Sequence, residues 1–195
     1  MRVAFLQLFW GFLFIMVEIH IIIDIFADPI GYYMIFHGLN LIAKEYGKTN
    51  PARPISVVLL FLSIPTVFIM NTSSAFVDLS VQMTAWSIYE HAMGLAQLVL
   101  TFYVFKIMLH VADAIGNREL YSSTNLFFKW YIGISLATQV MSPFLMNLYH
   151  DVAMGFVIGT VLISLIINII FLIYLYRFKK SGQENRLPGN ENAKI

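Results

Sequence analysis

The stretch VAMGFVIGTVLISLIINIIFLIYLY, residues 152–176, runs without a single charge and is closed by Arg177-Phe178-Lys179-Lys180. About 20 apolar residues, rising 1.5 Å each, are enough to carry a helix across the hydrocarbon core of a bilayer. This stretch therefore reads as a spanning helix, and the basic cluster after it as the anchor that stops it at the interface. Five more segments come close on the same test: 3–24, 28–44, 54–71, 86–113 and 125–149. A bilayer admits only helices or closed barrels, and runs this long and continuously apolar are helical. The expected fold is all-α: a polytopic transmembrane helical bundle with six spans in residues 1–180. Residues 181–195 are polar and without periodicity, and read as a disordered tail on the cytoplasmic side.

Composition agrees. Hydrophobic residues make up 59% of the 195 positions and charged residues only 12%, against roughly 45–50% and 25% in soluble domains. The net charge of +1 gives no footprint for a nucleic-acid partner, and no zinc-finger, helix-turn-helix or RNP-like pattern is present. The absence of cysteine removes disulfides, thiolate nucleophiles and Fe–S ligation together. The first span follows Arg2 in the manner of a signal peptide. It contains Glu18 and His20, however, and no small-x-small cleavage site follows, so it is read as retained.

Lysine and arginine fix an expected orientation. Arg2 precedes the first span; Lys44, Lys48 and Arg53 flank the second loop; Lys106, Arg118 and Lys129 surround the fourth. Arg177, Lys179, Lys180, Arg186 and Lys194 follow the last span, which accounts for all twelve. The remaining loops carry Asp24, Asp28, Asp78, His150 and Asp151 instead. By the positive-inside rule both termini face the cytoplasm. The spans 28–44 and 54–71 are short, so tilt or partial re-entrance is open for both. Pro54 suits the first turn of its helix, whereas Pro65 and Pro143 lie inside spans and are expected to kink them. Residues 71–85 read as interfacial.

Polar residues fall on common faces at 100° per residue. They are Gln7, Gly11 and Glu18 on the first span; Tyr33, His37 and Asn40 on the second; and Ser87, Glu90, Gly94, Gln97 and Thr101 on the fourth. Ser135, Thr138, Gln139 and Ser142 mark the fifth, and Thr160, Ser164 and Asn168 the sixth. Interhelical hydrogen bonding and close approach explain most of these, and Gly155 and Gly159 form a GxxxG that suits internal packing or association with a partner or second copy. Carboxylates at membrane depth are costlier, about 2.5 kcal/mol upward, which singles out Glu18 and Glu90. His20 and Asp24 share a face, and His91 adjoins Glu90. The candidate ligand or ion site is thus Glu18, His20, Asp24, Glu90, His91 and Gln97, with His37, Asn40, His150 and Asp151 as secondary candidates. The aspartates and His150 are equally what wet loops carry. Imidazole and carboxylate suit a divalent cation, although no HExxH or HxxEH spacing occurs. Haem b would need two facing histidines, and nothing in the spacing of His20, His91 and His150 demands a pair. Lys106, His110 and Asp113 recur along the inner end of the fourth helix, where snorkelling explains them. There is no GxSxG, Walker A or dinucleotide loop to mark an enzyme.

The run Asp24-Ile-Phe-Ala27-Asp28-Pro29-Ile30-Gly31-Tyr32, directly after the first span, resembles a short signature of small, uncharacterised polytopic membrane proteins of Gram-positive bacteria. Those proteins carry Pro-Asp-x-Ile-Gly-Tyr where this chain has Ala27-Asp28-Pro29. The resemblance implies a bacterial plasma-membrane location and no particular activity. In physical terms Asp28 suits a helix N-cap and Pro29 a first helical turn. The six-span architecture is also similar to the substrate-binding subunits of energy-coupling-factor vitamin transporters, a likeness of shape without a shared motif. The expected function is a subunit that binds or moves a small solute or cation near its outer face. The alternatives are a non-catalytic interaction protein (sensor, immunity or assembly partner), an intramembrane enzyme and a haem protein.

Overall fold

A computed structural model describes residues 1–18, 27–46, 51–65, 79–141, 144 and 150–184. Among them are six α-helices and no strand: α1 (Arg2–Glu18), α2 (Ala27–Tyr46), α3 (Ala52–Leu62), α4 (Leu79–Ile115), α5 (Arg118–Met141) and α6 (His150–Glu184). Two helical stretches, Ile88–Ile115 and Met154–Lys180, are long and apolar enough to cross a membrane. With 20 residues, α2 is about 30 Å long. The 11 residues of α3 cover about 16 Å, which is half a bilayer core.

The helix ends depart from the hydropathy reading in three places. Leu79 begins α4, inside the stretch read as interfacial; Arg118 begins α5, ahead of position 125; and α6 continues to Glu184. Residues 181–184 are therefore helix, not tail, while 185–195 lie outside the described residues. Backbone hydrogen bonding does not require apolar side chains, so a helix continues past the point where an apolar window stops. Of the two prolines expected to bend spans, Pro143 lies outside the described residues, as do the residues that follow Pro65.

The α4–α5 junction shows how such a boundary is made. Gly116, at φ +75°, takes the left-handed conformation that ends a helix without a Cβ penalty. Its N–H donates to the Asp113 carbonyl and the Asn117 N–H to the Ala112 carbonyl, the paired bonds of a Schellman ending. The Asn117 side chain then accepts from the Leu120 N–H at 2.9 Å, capping α5. Two residues thus stop one helix and start the next.

An antiparallel hairpin of α1 and α2 is the most intimate pairing in the bundle. Its backbones touch: a Cβ on Gly11 would lie 2.7 Å from the Gly31 carbonyl oxygen, and one on Gly38 2.8 Å from that of Ala4. Against this hairpin α6 lays an aromatic seam, Phe5 stacked on Phe178 and Phe12 edge-on to Phe171. Phe105 of α4 is fully buried and contacts Phe128, Tyr131 and Phe171 at 5.0–5.4 Å. Phe127 stacks flat on Tyr174 to hold α5 to α6. The Met1 amino group pairs with Glu45, and the Tyr176 ring meets Phe9. These pairings bring the helix ends bearing Arg2, Lys44 and Arg177 to one end of the bundle.

Candidate functional site

Inside the bundle the helices share one polar seam. Tyr131 of α5, only 8% exposed, donates its phenol proton to Asn168 Oδ1 of α6 at 2.9 Å. Thr101 of α4 lies within hydrogen-bonding reach of the same hydroxyl, and its own hydroxyl donates to the Gln97 carbonyl one turn back. Between α1, α4 and α6, a cavity of about 10 Å³ is lined by Gln97, Asn168, Phe12, Met16, Phe171 and Leu172. That volume is about the room of one water molecule. Two carboxamides in an otherwise apolar wall give it oxygen donors of the kind that suit hard cations. Gln97 and Asn168 stand on the polar stripes of their helices in the sequence. Tyr131 does not stand out there, because a tyrosine in a span reads as an interfacial aromatic. Only its depth among Phe105, Phe127 and Phe171 reveals that its hydroxyl needs a partner.

A second polar contact crosses the hairpin. His37 Nδ1 meets Gln7 Oε1 at 2.6 Å; with the amide oxygen as acceptor, Nδ1 carries the proton. The polar faces of α1 and α2 therefore do meet, and the histidine bonds a neighbouring helix. The same face also borders solvent or lipid: Tyr33 is 57% exposed and His37 is exposed. Asn40 Oδ1 is buried with no hydrogen-bond partner among the described residues.

The acidic, histidine-bearing end is only partly described. Glu18 closes α1 and His150 opens α6, but both side chains, together with His20 and Asp24 entirely, lie outside the described part of the chain. Glu90 is exposed and His91 half-buried, and Asp151 is exposed in the first turn of α6. Gly94, one turn inward from Glu90, is covered by the Gln139 side chain of α5. Glu90 lies beyond this packed region, and the cavity beside Gln97 does not include it. Nearby, Tyr89 donates to the Leu62 carbonyl, tying α3 to α4. Asp28 and Pro29 sit in the first turn of α2, where a carboxylate is favoured by the helix dipole. Among the described residues no group of three His, Asp or Glu side chains is placed to hold a metal ion.

At the opposite, basic end lies a larger cavity of about 310 Å³ between α2, α3 and α4. Leu39, Ile42, Phe102 and Ile107 form its apolar wall, and Tyr46, Arg53, Lys106 and His110 its polar margin. Lys106 Nζ sits 5.5 Å from the Phe102 ring and 5.8 Å from that of Phe128, so it lies along aromatic surface instead of reaching Asp113. His110 meets Tyr46 edge-on at 6.5 Å. Nothing in the sequence pattern unites these residues, which come from three separated segments.

No family model matches the chain, and neither a curated protein nor a solved structure is found to be similar to it.

Proposed function

We propose that this chain is a multi-pass protein of the bacterial plasma membrane. In this reading it crosses six times with both termini on the cytoplasmic side, and it binds or moves a small cation through the polar seam between α1, α4, α5 and α6. The membrane placement is supported by the two long apolar helices and by the apolar surface the bundle leaves uncovered, including Trp10, Phe61, Leu126, Trp130 and Ile166. Large exposed apolar area of this kind is unfavourable in water and ordinary against lipid. The cavity holding Gln97 and Asn168 is the observation that carries the cation reading. Its two carboxamides offer oxygen ligands in a space of about one water molecule, and it lies along the helices that lead to Glu18 and Glu90. Those carboxylates would draw cations in, with His20, Asp24 and His91 beside them.

The test is thermal unfolding of the purified chain in neutral detergent with sodium, potassium, magnesium, calcium, manganese or zinc chloride, against choline chloride at matched ionic strength. One cation is expected to raise Tm, and Asn168→Leu or the pair Glu18→Gln and Glu90→Gln to remove the rise. Equal behaviour of all salts, or a rise that survives both sets of substitutions, refutes the reading.

A second reading is an interaction protein, and the first half of α6 favours it. Gly155 and Gly159 have nothing within 4 Å of where a Cβ would stand, and Val152, Ile158 and Leu162 around them are more than half exposed. An open small-residue face of this type suits a second helix. Co-purification of a partner or a second copy, lost in Gly159→Leu, would favour it; a stable lone monomer would count against it.

A further inference from the structure

We propose that the cavity at the basic end is a binding site for the phosphate of an anionic membrane lipid, with one acyl chain lying along its apolar wall. Three observations converge. The cavity joins an apolar wall, Ile42 and Phe102 among it, to a margin holding Arg53, Lys106 and His110, and no carboxylate of the described residues lines it. The Nε of Arg53 is buried and has no hydrogen-bond partner among the described residues. A buried guanidinium N–H without an acceptor is rare in a finished structure and calls for an anion, the geometry that arginine meets with phosphate. Glu45, the carboxylate at the end of α2, pairs with the Met1 amino group and does not line the cavity.

Depth selects a lipid over a free anion. Lys106 stands nine positions before the end of α4, about 14 Å along the helix, with its ammonium held over Phe102 and Phe128. A headgroup phosphate at the interface, with its chain descending past Phe102 and Ile42, satisfies both halves of the cavity. Inorganic phosphate would leave the apolar half empty. The inference rests on the membrane placement proposed above and is independent of the cation site.

The experiment measures Tm of the full chain in neutral detergent with added phosphatidylglycerol, phosphatidylcholine, inorganic phosphate or glycerol 3-phosphate. Phosphatidylglycerol is expected to stabilise and the other three to have little effect. Arg53→Gln and Lys106→Gln should each weaken the apparent affinity about tenfold, as expected for loss of one charge-assisted contact. Ala43→Phe, which sets a ring into the space the acyl chain would take and leaves every charge in place, should weaken the effect strongly. Lys106 is exposed, so its variant will fold and keeps the test decisive if Arg53→Gln does not. Equal stabilisation by phosphatidylcholine, an equal effect of soluble phosphate, or full response in Lys106→Gln and Ala43→Phe overturns the proposal. A chain that purifies without detergent as a monomer overturns the membrane placement itself. One that requires detergent yet ignores phosphatidylglycerol overturns only the lipid site.

Discussion

Replacing Gly11 by alanine should destabilise the protein, although alanine is the better helix former by about 1 kcal/mol. The added Cβ would lie 2.7 Å from both the Gly31 carbonyl oxygen and Ile35 Cγ1. Ordinary van der Waals contact needs about 3.5 Å, so α1 and α2 must part by somewhat under 1 Å. Parting them loosens every contact along the hairpin at once. A few dozen atom pairs, each forfeiting a quarter to a half of 0.1–0.2 kcal/mol, lose about 1–2 kcal/mol, within the range of 1–3 kcal/mol seen on overpacking. Gly155→Ala supplies the control, because it carries the same propensity gain and its Cβ meets nothing within 4 Å. The difference between the two variants isolates the hairpin contact, and should be about 1–3 kcal/mol in reversible unfolding by denaturing detergent. Gly31→Ala should resemble Gly11→Ala, and the double variant should fall short of the sum, since one separation of the helices relieves both clashes. If Gly11→Ala and Gly155→Ala change stability equally, the backbone contact between α1 and α2 is not what holds the hairpin.

Other consequences are as direct. Tyr131→Phe leaves Asn168 Oδ1 without its donor and should cost about 1 kcal/mol, whereas Asn168→Leu in the Tyr131→Phe background should recover part of it; a double-mutant cycle in the same unfolding assay measures the coupling. Asn117→Ala removes the cap on α5 and should cost about 1 kcal/mol, while Gly116→Val forces a β-branched residue into φ +75° and should cost more, with a thermal melt ordering the two. The chain has no cysteine, so single substitutions report topology without background. Arg118→Cys should react with a membrane-impermeant maleimide only after the cells are opened, and Asp151→Cys in intact cells. Reversed labelling would overturn the proposed orientation.

How much of this was legible in the sequence follows from what each pattern encodes. Hydropathy records where an apolar run is long enough to make a helix, and it located the six described helices while misplacing several of their ends. Residues 118–124 were missed as helix because Arg118, Glu119 and the serines are polar. The signal that was present, glycine then asparagine at 116–117, is turn chemistry and invisible to an apolar window. The 100° stripes record which way a residue faces on its own helix. They include Gln7 and His37, which meet, and Gln97 and Asn168, which line one cavity. They gave Glu90 the same direction as Gln97, but direction does not tell whether a neighbour reaches that far, and at Glu90 none of the described helices covers it. Gly31 and Gly38 stand one heptad apart, a spacing that returns to the same face, yet only the opposing carbonyls of Gly11 and Ala4 give them a purpose. Neither pattern records which helix stands beside which. For that reason a contact within one hairpin, such as Gln7 with His37, is foreseeable from adjacent spans. A pocket built by Tyr46, Arg53 and Lys106 from three helices is not: one phenol and two cations look like three unrelated interfacial anchors until the packing of α3 against α4 draws them around one cavity.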